Sequence, residues 1–270
     1  MFQINNLQQQ PFDWNNMNLP LTIVIINKNS EQTLTATLGS LSFASSILIA
    51  DDGSTDRSRE IAREFGTKVI SLHPTHSFAQ KRNEALSHVT TPWTFFIDSD
   101  EICTQELAAS ITDIVTSEHS ADGYYIHRND VFMGVPLLYG ETGHMWLLRL
   151  ARTDSGIWER DVHEVWKVNG TIRKIKQGIL LHAPHPTLDS FFSMVNIYTE
   201  LEVKERSKHP PSLFALYLQV WSFPLAKFFV NVCVRQGWRD GFEGIAHAYC
   251  MSIYSLVVRI KMIEYLRKHS

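Results

Sequence analysis

The sequence predicts an α/β fold: a central, mostly parallel sheet followed by a C-terminal helical appendage. Three observations carry this. Short β-branched runs alternate with amphipathic stretches through the first hundred residues, acid-rich segments fall where those runs end, and beyond residue 186 long apolar-aromatic segments replace the strand signals. Strands and helices alternating at this spacing form βαβ units, and in such sheets ligands bind where strands end and polar loops gather.

Residues 21–26 are a continuous β-branched run, the pattern of a strand covered on both faces. Asn27 to Ser30 ends it, and Ser30 is placed to cap a helix through Leu34, Leu38 and Leu41. Residues 46–50 form a second strand that opens into Asp51-Asp-Gly-Ser-Thr-Asp56. The next helix carries Ile61, Ala62 and Phe65 on one side and closes at Gly66. Lys68–Ser71 is the third strand, 78–88 the third helix and 93–97 the fourth strand.

That fourth strand runs into Asp98-Ser-Asp100-Glu101, three carboxylates in four residues where the chain turns. Residues i and i+2 of an extended segment point the same way, so Asp98 and Asp100 can converge on one cation. A divalent metal carrying a diphosphate would relieve their mutual repulsion. The same acids would suit the start of a helix near Thr104, and the residues alone leave both readings open.

After a helix around 106–117, short strands are predicted at 123–127, 145–149, 162–166 and 179–182, and Asn169-Gly170 predicts a hairpin between 165–168 and 171–175. From Thr187 a helix bears Leu188, Phe191, Phe192, Val195 and Tyr198 on one stripe, and residues 204–211 break it. Residues 213–235 are apolar over nearly the length of a membrane span, about 20 residues, but Gln219, Pro224, Lys227 and Asn231 interrupt them. A final helix, 242–267, has Arg259, Lys261, Arg267 and Lys268 at its end. Apolar helices with basic ends fit the bilayer interface better than a crossing. The alternative is packing on the α/β core or on a second copy of the chain as a homodimer. The expected organisation is a domain over 1–185, including a polar arm at 1–19, and a helical region over 186–270.

Hydrophobic content of 44% and 20% charged residues suit a chain that buries a core. A net charge of −3 argues against a nucleic-acid partner held by a basic surface. Cys103, Cys233 and Cys250 are widely spaced with no C-x-x-C pair, which suits a reducing compartment and offers no zinc site. Residues 1–16 lack a basic region followed by an apolar one, so no signal peptide is expected.

Taken in order, these segments resemble family 2 glycosyltransferases with the GT-A (nucleotide-diphospho-sugar transferase) fold, over roughly residues 21–182. The run TIVIINKNSEQTLTATLGSL is similar to the first strand and helix, where the family holds the nucleotide base, which implicates Ile26, Asn27 and Asn29. ILIADDGSTDRSREIA resembles the second-strand signature, in which the positions of Asp51 and Asp52 contact uracil and ribose. FAQKRNEAL resembles a segment whose basic residue, here Arg82, lies near the nucleotide phosphates. WTFFIDSDE resembles the D-x-D strand and implies metal contact for Asp98 and Asp100. More narrowly, Glu101, the run RLARTDSGIWERDVHE and the helical tail resemble lipopolysaccharide core glycosyltransferases of the β-1,4-glucosyltransferase type. The resemblance implies an inverting enzyme using Mg²⁺ or Mn²⁺, a UDP-sugar donor and a lipid-linked or lipopolysaccharide-core acceptor. It would work on the cytoplasmic face of a bacterial inner membrane, as a peripheral protein.

The chemistry fits these residue types. A leaving diphosphate needs its charge stabilised, and inversion needs a base on the opposite face of the sugar. The family places that base beyond the D-x-D strand, making Glu164 the expected base and Asp161 the second candidate. On a strand the two would face opposite ways. His163 and His182 could bind phosphate or metal or be structural; H-E-x-x-H is excluded because its second histidine is missing. Arg149 and Arg152 could hold the diphosphate or an acidic acceptor, or lie on a solvated face. Trp146 and Trp158 could line a sugar cleft or belong to the core. A nucleotidyl or phosphoryl transferase would carry a glycine-rich phosphate loop, which is missing, and a non-catalytic nucleotide-sugar-binding protein of this fold would lack one of the acids.

Overall fold

The computed structural model describes residues 18–143, 145–160, 164–183 and 188–269. The chain forms two units, one from the residues up to Arg128 with Met145–His182, the other from Asn129–His144 with Ala183–Ser270.

The first unit is built on β1 (Leu21–Asn27), α1 (Leu34–Gly39), β2 (Ser46–Asp51), α2 (Ser58–Glu64), β3 (Lys68–Ser71), α3 (Phe78–Ser87) and β4 (Trp93–Asp98). It continues through β5 (Glu101–Cys103) and α4 (Gln105–Thr116). The chain leaves it within β6 (Gly123–Phe132), makes β7 (Val135–Pro136), and returns with β8 (Met145–Arg152), β9 (Gly156–Glu159), β10 (Val165–Val168), β11 (Ile172–Lys174) and β12 (Leu180–His182). Sheet order is β3-β2-β1-β4-β8-β6-β12-β5, parallel from β3 to β4 and antiparallel where β8 joins β4 and β6 joins β8. Both faces of β1 are buried, which is why it reads as a run dominated by β-branched residues. Ile23 and Ile25 join Phe95 and Ile97 in one core, while Val24 joins Leu48, Phe96, Trp158 and Trp166 in the other.

Local chemistry departs from expectation at several points. Ser30 does not cap α1, whose N-cap position is Thr33; the Ser30 carbonyl accepts from Thr33 and Leu34 N–H at 3.0 and 2.9 Å, while its hydroxyl meets Ser99 Oγ at 2.7 Å. Phe65, expected inside with Ile61 and Ala62, is exposed. Thr104 does cap α4, accepting from Leu107 N–H. The predicted hairpin at Asn169-Gly170 does not form. Gly170 turns the chain at φ +105°, and Asp122 then captures Thr171 through two 2.8 Å hydrogen bonds. As a result β11 runs parallel to β6, and β10 pairs with β9, bringing Trp166 opposite Trp158.

The second unit holds α5 (Leu188–Arg206), α6 (Leu213–Phe229) and α7 (Gly241–His269), with a π-helical turn over Val230–Val234. The end of β6 and β7 pair within it, and Phe132 and Leu137 pack with Phe191, Val195 and Cys250. Of the expected α5 stripe, Phe191 and Val195 are buried, whereas Leu188, Phe192 and Tyr198 are exposed. Leu213–Val234 is the one helix, among the described residues, long and apolar enough to cross a membrane, and only 6% of its apolar window is buried. Arg259, expected with the basic residues at the surface end of α7, is only 6% exposed.

Candidate active site

The C-terminal ends of β1, β2 and β4 lie side by side, because the parallel register sets Asn27 beside Asp51 and Ile26 beside Asp98. In open α/β sheets ligands bind in the crevice outside the carboxyl ends of the strands. Asn27 and Asp51 are fully buried, and Asn27 Nδ2 donates to Asp51 Oδ1 and Ser54 Oγ, each at 3.0 Å. Burial alone would raise the Asp51 pKa, but hydrogen bonds from Ser54, Asn27 and Arg59 hold it below the ordinary carboxylate value. Asp52 is reached by Lys81 Nζ at 2.7 Å and Lys28 Nζ at 3.2 Å. Asn29, at φ 51°, accepts from Thr55 N–H at 2.8 Å and so braces the acidic loop. Ile26 packs against the apolar cluster containing Ala50 and Phe96.

Helix α3 supplies the cations. Its start is fixed by a reciprocal capping box between Ser77 and Gln80. Asn83 clamps the backbone of Trp158 from both sides, at 2.8 Å each, which seats the indole 4.6 Å under the Arg82 guanidinium. Arg82 is 6% exposed; its Nη2 donates to Asp98 Oδ1 at 2.9 Å and its Nε to Glu164 Oε1 at 3.2 Å. Its Nη1 is buried with no partner among the described residues. Two residues 82 positions apart in sequence are thereby joined, and the same guanidinium also holds Asp98, 16 positions on.

Asp98 has a second arginine. Arg149 Nη2 meets Oδ2 at 2.5 Å and Nη1 meets Oδ1 at 3.3 Å, a two-pronged pairing supplied by β8. Glu101 is wholly buried behind it, accepting from the Asp98 N–H at 2.9 Å and lying 3.5 and 3.7 Å from Arg128 and Arg149. Burial would raise the Asp98 pKa, yet Arg149 and Arg82 hold it far below the carboxylate range. Burial, with the Asp98 charge beside it, pushes Glu101 up. Asp100 is separate from this knot: its Oδ2 lies 3.5 Å from His182 Nε2, because antiparallel pairing of β12 and β5 sets His182 opposite Glu101.

The structure thus brings together Arg82, Asp98, Arg149 and Glu164, with Asp100 and His182 at the neighbouring loop. Arg152 is a correction. It pairs in register with Trp93, at the far end of β4 from Asp98, where it stacks on the Trp93 ring at 4.6 Å and donates to Ser120. Asp161 and His163 lie outside the described residues. Trp158 is buried against Trp166 and Phe96, and Trp146 stacks on His127 under Lys174. Lys81, Arg59 and the buried Glu101–Arg128 contact were not anticipated; only the adjacency of Lys81 to Arg82 in a basic pair could have signalled one of them.

Residues 22–177 match the family model described as glycosyl transferase family 2. A lipopolysaccharide core biosynthesis glycosyltransferase, LpsC, from Rhizobium meliloti (strain 1021) is 25% identical over 91% of this chain and 93% of its own. An uncharacterized glycosyltransferase from Rickettsia typhi is 26% identical over 90% of this chain and 87% of its own. Among solved structures, S. aureus TarS 1–349 in complex with UDP is 15% identical, with a TM-score of 0.47 over 94% of this chain and 92% of that one. Glucosyl-3-phosphoglycerate synthase from Mycobacterium tuberculosis with Mn²⁺ and UDP is 18% identical, with a TM-score of 0.34 over 42% of this chain and 44% of that one.

Proposed function

The chain belongs to glycosyl transferase family 2 and has its GT-A fold, and from that premise we propose that it is an inverting, metal-dependent enzyme acting on a UDP-sugar. Its acceptor is a lipid-linked or lipopolysaccharide-core glycan, met at the surface of the inner membrane, where a cytoplasmic protein would dock peripherally. The observation that carries the catalytic reading is the bridge made by Arg82 between Asp98 and Glu164. It draws the D-x-D strand and the candidate base to one spot.

The nucleoside is read by Asn27, Asp51 and Asp52, and the diphosphate by Lys81 and by Arg82, whose unpartnered Nη1 is a ready donor. Asp100 and His182 would hold a Mg²⁺ or Mn²⁺ ion: an accessible carboxylate beside an imidazole is a donor set such ions accept. When bound, the ion supplies electrostatic stabilisation of the leaving diphosphate. Both oxygens of Asp98 are engaged by arginines, so Asp98 works by fixing Arg82 and Arg149 in place. Glu164 Oε1 is held by Arg82, leaving Oε2 to take the proton of the acceptor hydroxyl. The membrane reading is supported by the exposure of Phe214, Trp221 and Leu225 along α6.

Titrating UDP into the protein by calorimetry, with and without Mn²⁺, tests the donor assignment. Metal-dependent binding that disappears in an Asp98→Asn/Asp100→Asn variant is the expected result. A folded protein that binds no UDP under either condition refutes it.

A further inference from the structure

The helical unit contains a cavity of about 370 Å³ of its own, lined by residues of α5, α6, the π-helical turn, α7 and the loop after β7. Four cations line it, Arg206, Lys227, Arg235 and Arg259, against a single carboxylate, Glu141. Glu141 is already engaged by Lys227 at 3.0 Å and by Asn231 at 3.2 Å. Arg206 pairs with Glu202 at 2.7 Å, and among the described residues the Arg235 guanidinium donates to the neutral Asn231 Oδ1 at 3.3 Å.

Arg259 is the anomaly. It is 6% exposed, its Nη1 donates to the Ser255 carbonyl and hydroxyl at 2.7 Å, and its Nε is buried with no partner among the described residues. No carboxylate pairs with it among the described residues; its neighbour is the Phe223 ring, 4.1 Å away. Burial and the nearby Arg206 charge both depress its pKa, the signature of a cation lacking a counter-charge. An uncompensated buried guanidinium is costly unless something negative meets it. The π-helical turn, in which Arg235 N–H bonds to the Val230 carbonyl at 2.8 Å, brings Asn231 and Arg235 round to the side of the helix that bears Lys227.

The cavity opens in an unusual setting. Phe223 and Val230 belong both to its wall and to the exposed apolar surface of α6, which continues through Leu225 and Phe229. We propose that this cavity is a headgroup site for a phosphate-bearing membrane lipid, its phosphate held by Arg259 and Arg235 and its hydrocarbon lying along exposed α6. Guanidinium forks match phosphate oxygens in geometry as well as charge, and an apolar rim suits an amphiphile rather than a free anion. This rests on the reading that the helical unit meets a membrane and adds to it a specific site.

The test is co-sedimentation of the full chain with phosphatidylcholine vesicles containing either phosphatidic acid or, at matched surface charge, oleic acid. The wild type is expected to bind the phosphatidate vesicles about tenfold more tightly, the scale of one or two charged hydrogen bonds. Arg259→Met and the surface variant Arg235→Gln should each erase that preference while retaining the charge-dependent binding; Lys208→Gln, at an exposed lysine outside the cavity, should retain it. Equal binding to both vesicle types by the wild type, or a preference that survives in both arginine variants, overturns the site while leaving membrane association standing. No binding to any vesicle overturns the membrane reading and the site together. Thermal stabilisation by inorganic phosphate, lost in Arg259→Met and unaccompanied by any vesicle preference, would show a soluble-anion site instead.

Discussion

Replacing Arg149 by Met tests whether the buried ionic knot of the first unit is structural as described. The substitution keeps the volume of the stem but removes the double hydrogen bond to Asp98 and the 3.7 Å contact with Glu101, leaving Asp98 with Arg82 and Glu101 with Arg128. Removing one partner of a buried pair costs about 3–5 kcal/mol. With a urea slope of about 2 kcal/mol/M, the midpoint at pH 7 should fall by roughly 1.5–2.5 M. The pH dependence gives the sharper signature. In the wild type the depressed pKa of Asp98 stabilises the fold above about pH 4 and that support is lost as pH falls further, whereas the raised pKa of Glu101 acts in the opposite sense. Without Arg149 both carboxyls rise. A group with a raised folded pKa supports the native state below its unfolded value and withdraws that support as pH climbs through the folded value. The variant's deficit should therefore be larger at pH 8 than at pH 5. Urea titrations followed by circular dichroism at both pH values measure it. A deficit below about 1 kcal/mol, or one that does not shrink toward pH 5, refutes the account of the knot.

Three further outcomes follow from the proposed roles. Glu164→Gln should lower turnover by about 10²–10⁴-fold with donor affinity unchanged, as loss of a general base does; a variant that keeps its rate moves the role to Asp161. His182→Ala should weaken the Mn²⁺-dependent part of UDP binding and leave metal-free binding alone, and calorimetry showing equal loss in both conditions would remove His182 from the metal's surroundings. Trp221→Asp with Leu225→Asp, at side chains 77% and 70% exposed, should leave the melting temperature unchanged and abolish vesicle binding. Undiminished vesicle binding would mean that α6 is not the membrane face.

The first four strands were legible almost to the residue because β1, β2 and β4 bury most of their residues and the first three strands are each followed by a helix, so composition and spacing agree. The D-x-D strand was legible for the same reason. Its partners were not. Arg149 meets Asp98 only through the antiparallel β4–β8 register, and nothing in the alternation of apolar and basic residues around 149 and 152 says which arginine falls at the useful end. The turn at Asn169-Gly170 was recognised as a turn, but a hairpin needs its two flanks to prefer each other, and here Asp122 and the edge of β6 compete successfully for one flank. Arg259 read as part of a basic tail because helical periodicity locates a face, not what covers it.

The long sequence separation inside the ionic knot also orders events during synthesis. Asp98 and Glu101 leave the ribosome with Arg82 already made, but Arg149 follows Asp98 by 51 residues. At about 5–20 residues per second that is a delay of roughly 3–10 s. Throughout it the β1–β4 half has its apolar strands but lacks both the double hydrogen bond from Arg149 to Asp98 and the neighbour that covers the free side of β4. The nascent chain therefore exposes an unpaired edge during translation, and the charge that closes it arrives with the strand that pairs there. Chain-arrest fragments ending before and after β8 would differ in protease resistance at β4, so the same guanidinium that holds the acids together marks the moment at which this half of the molecule becomes safe from aggregation.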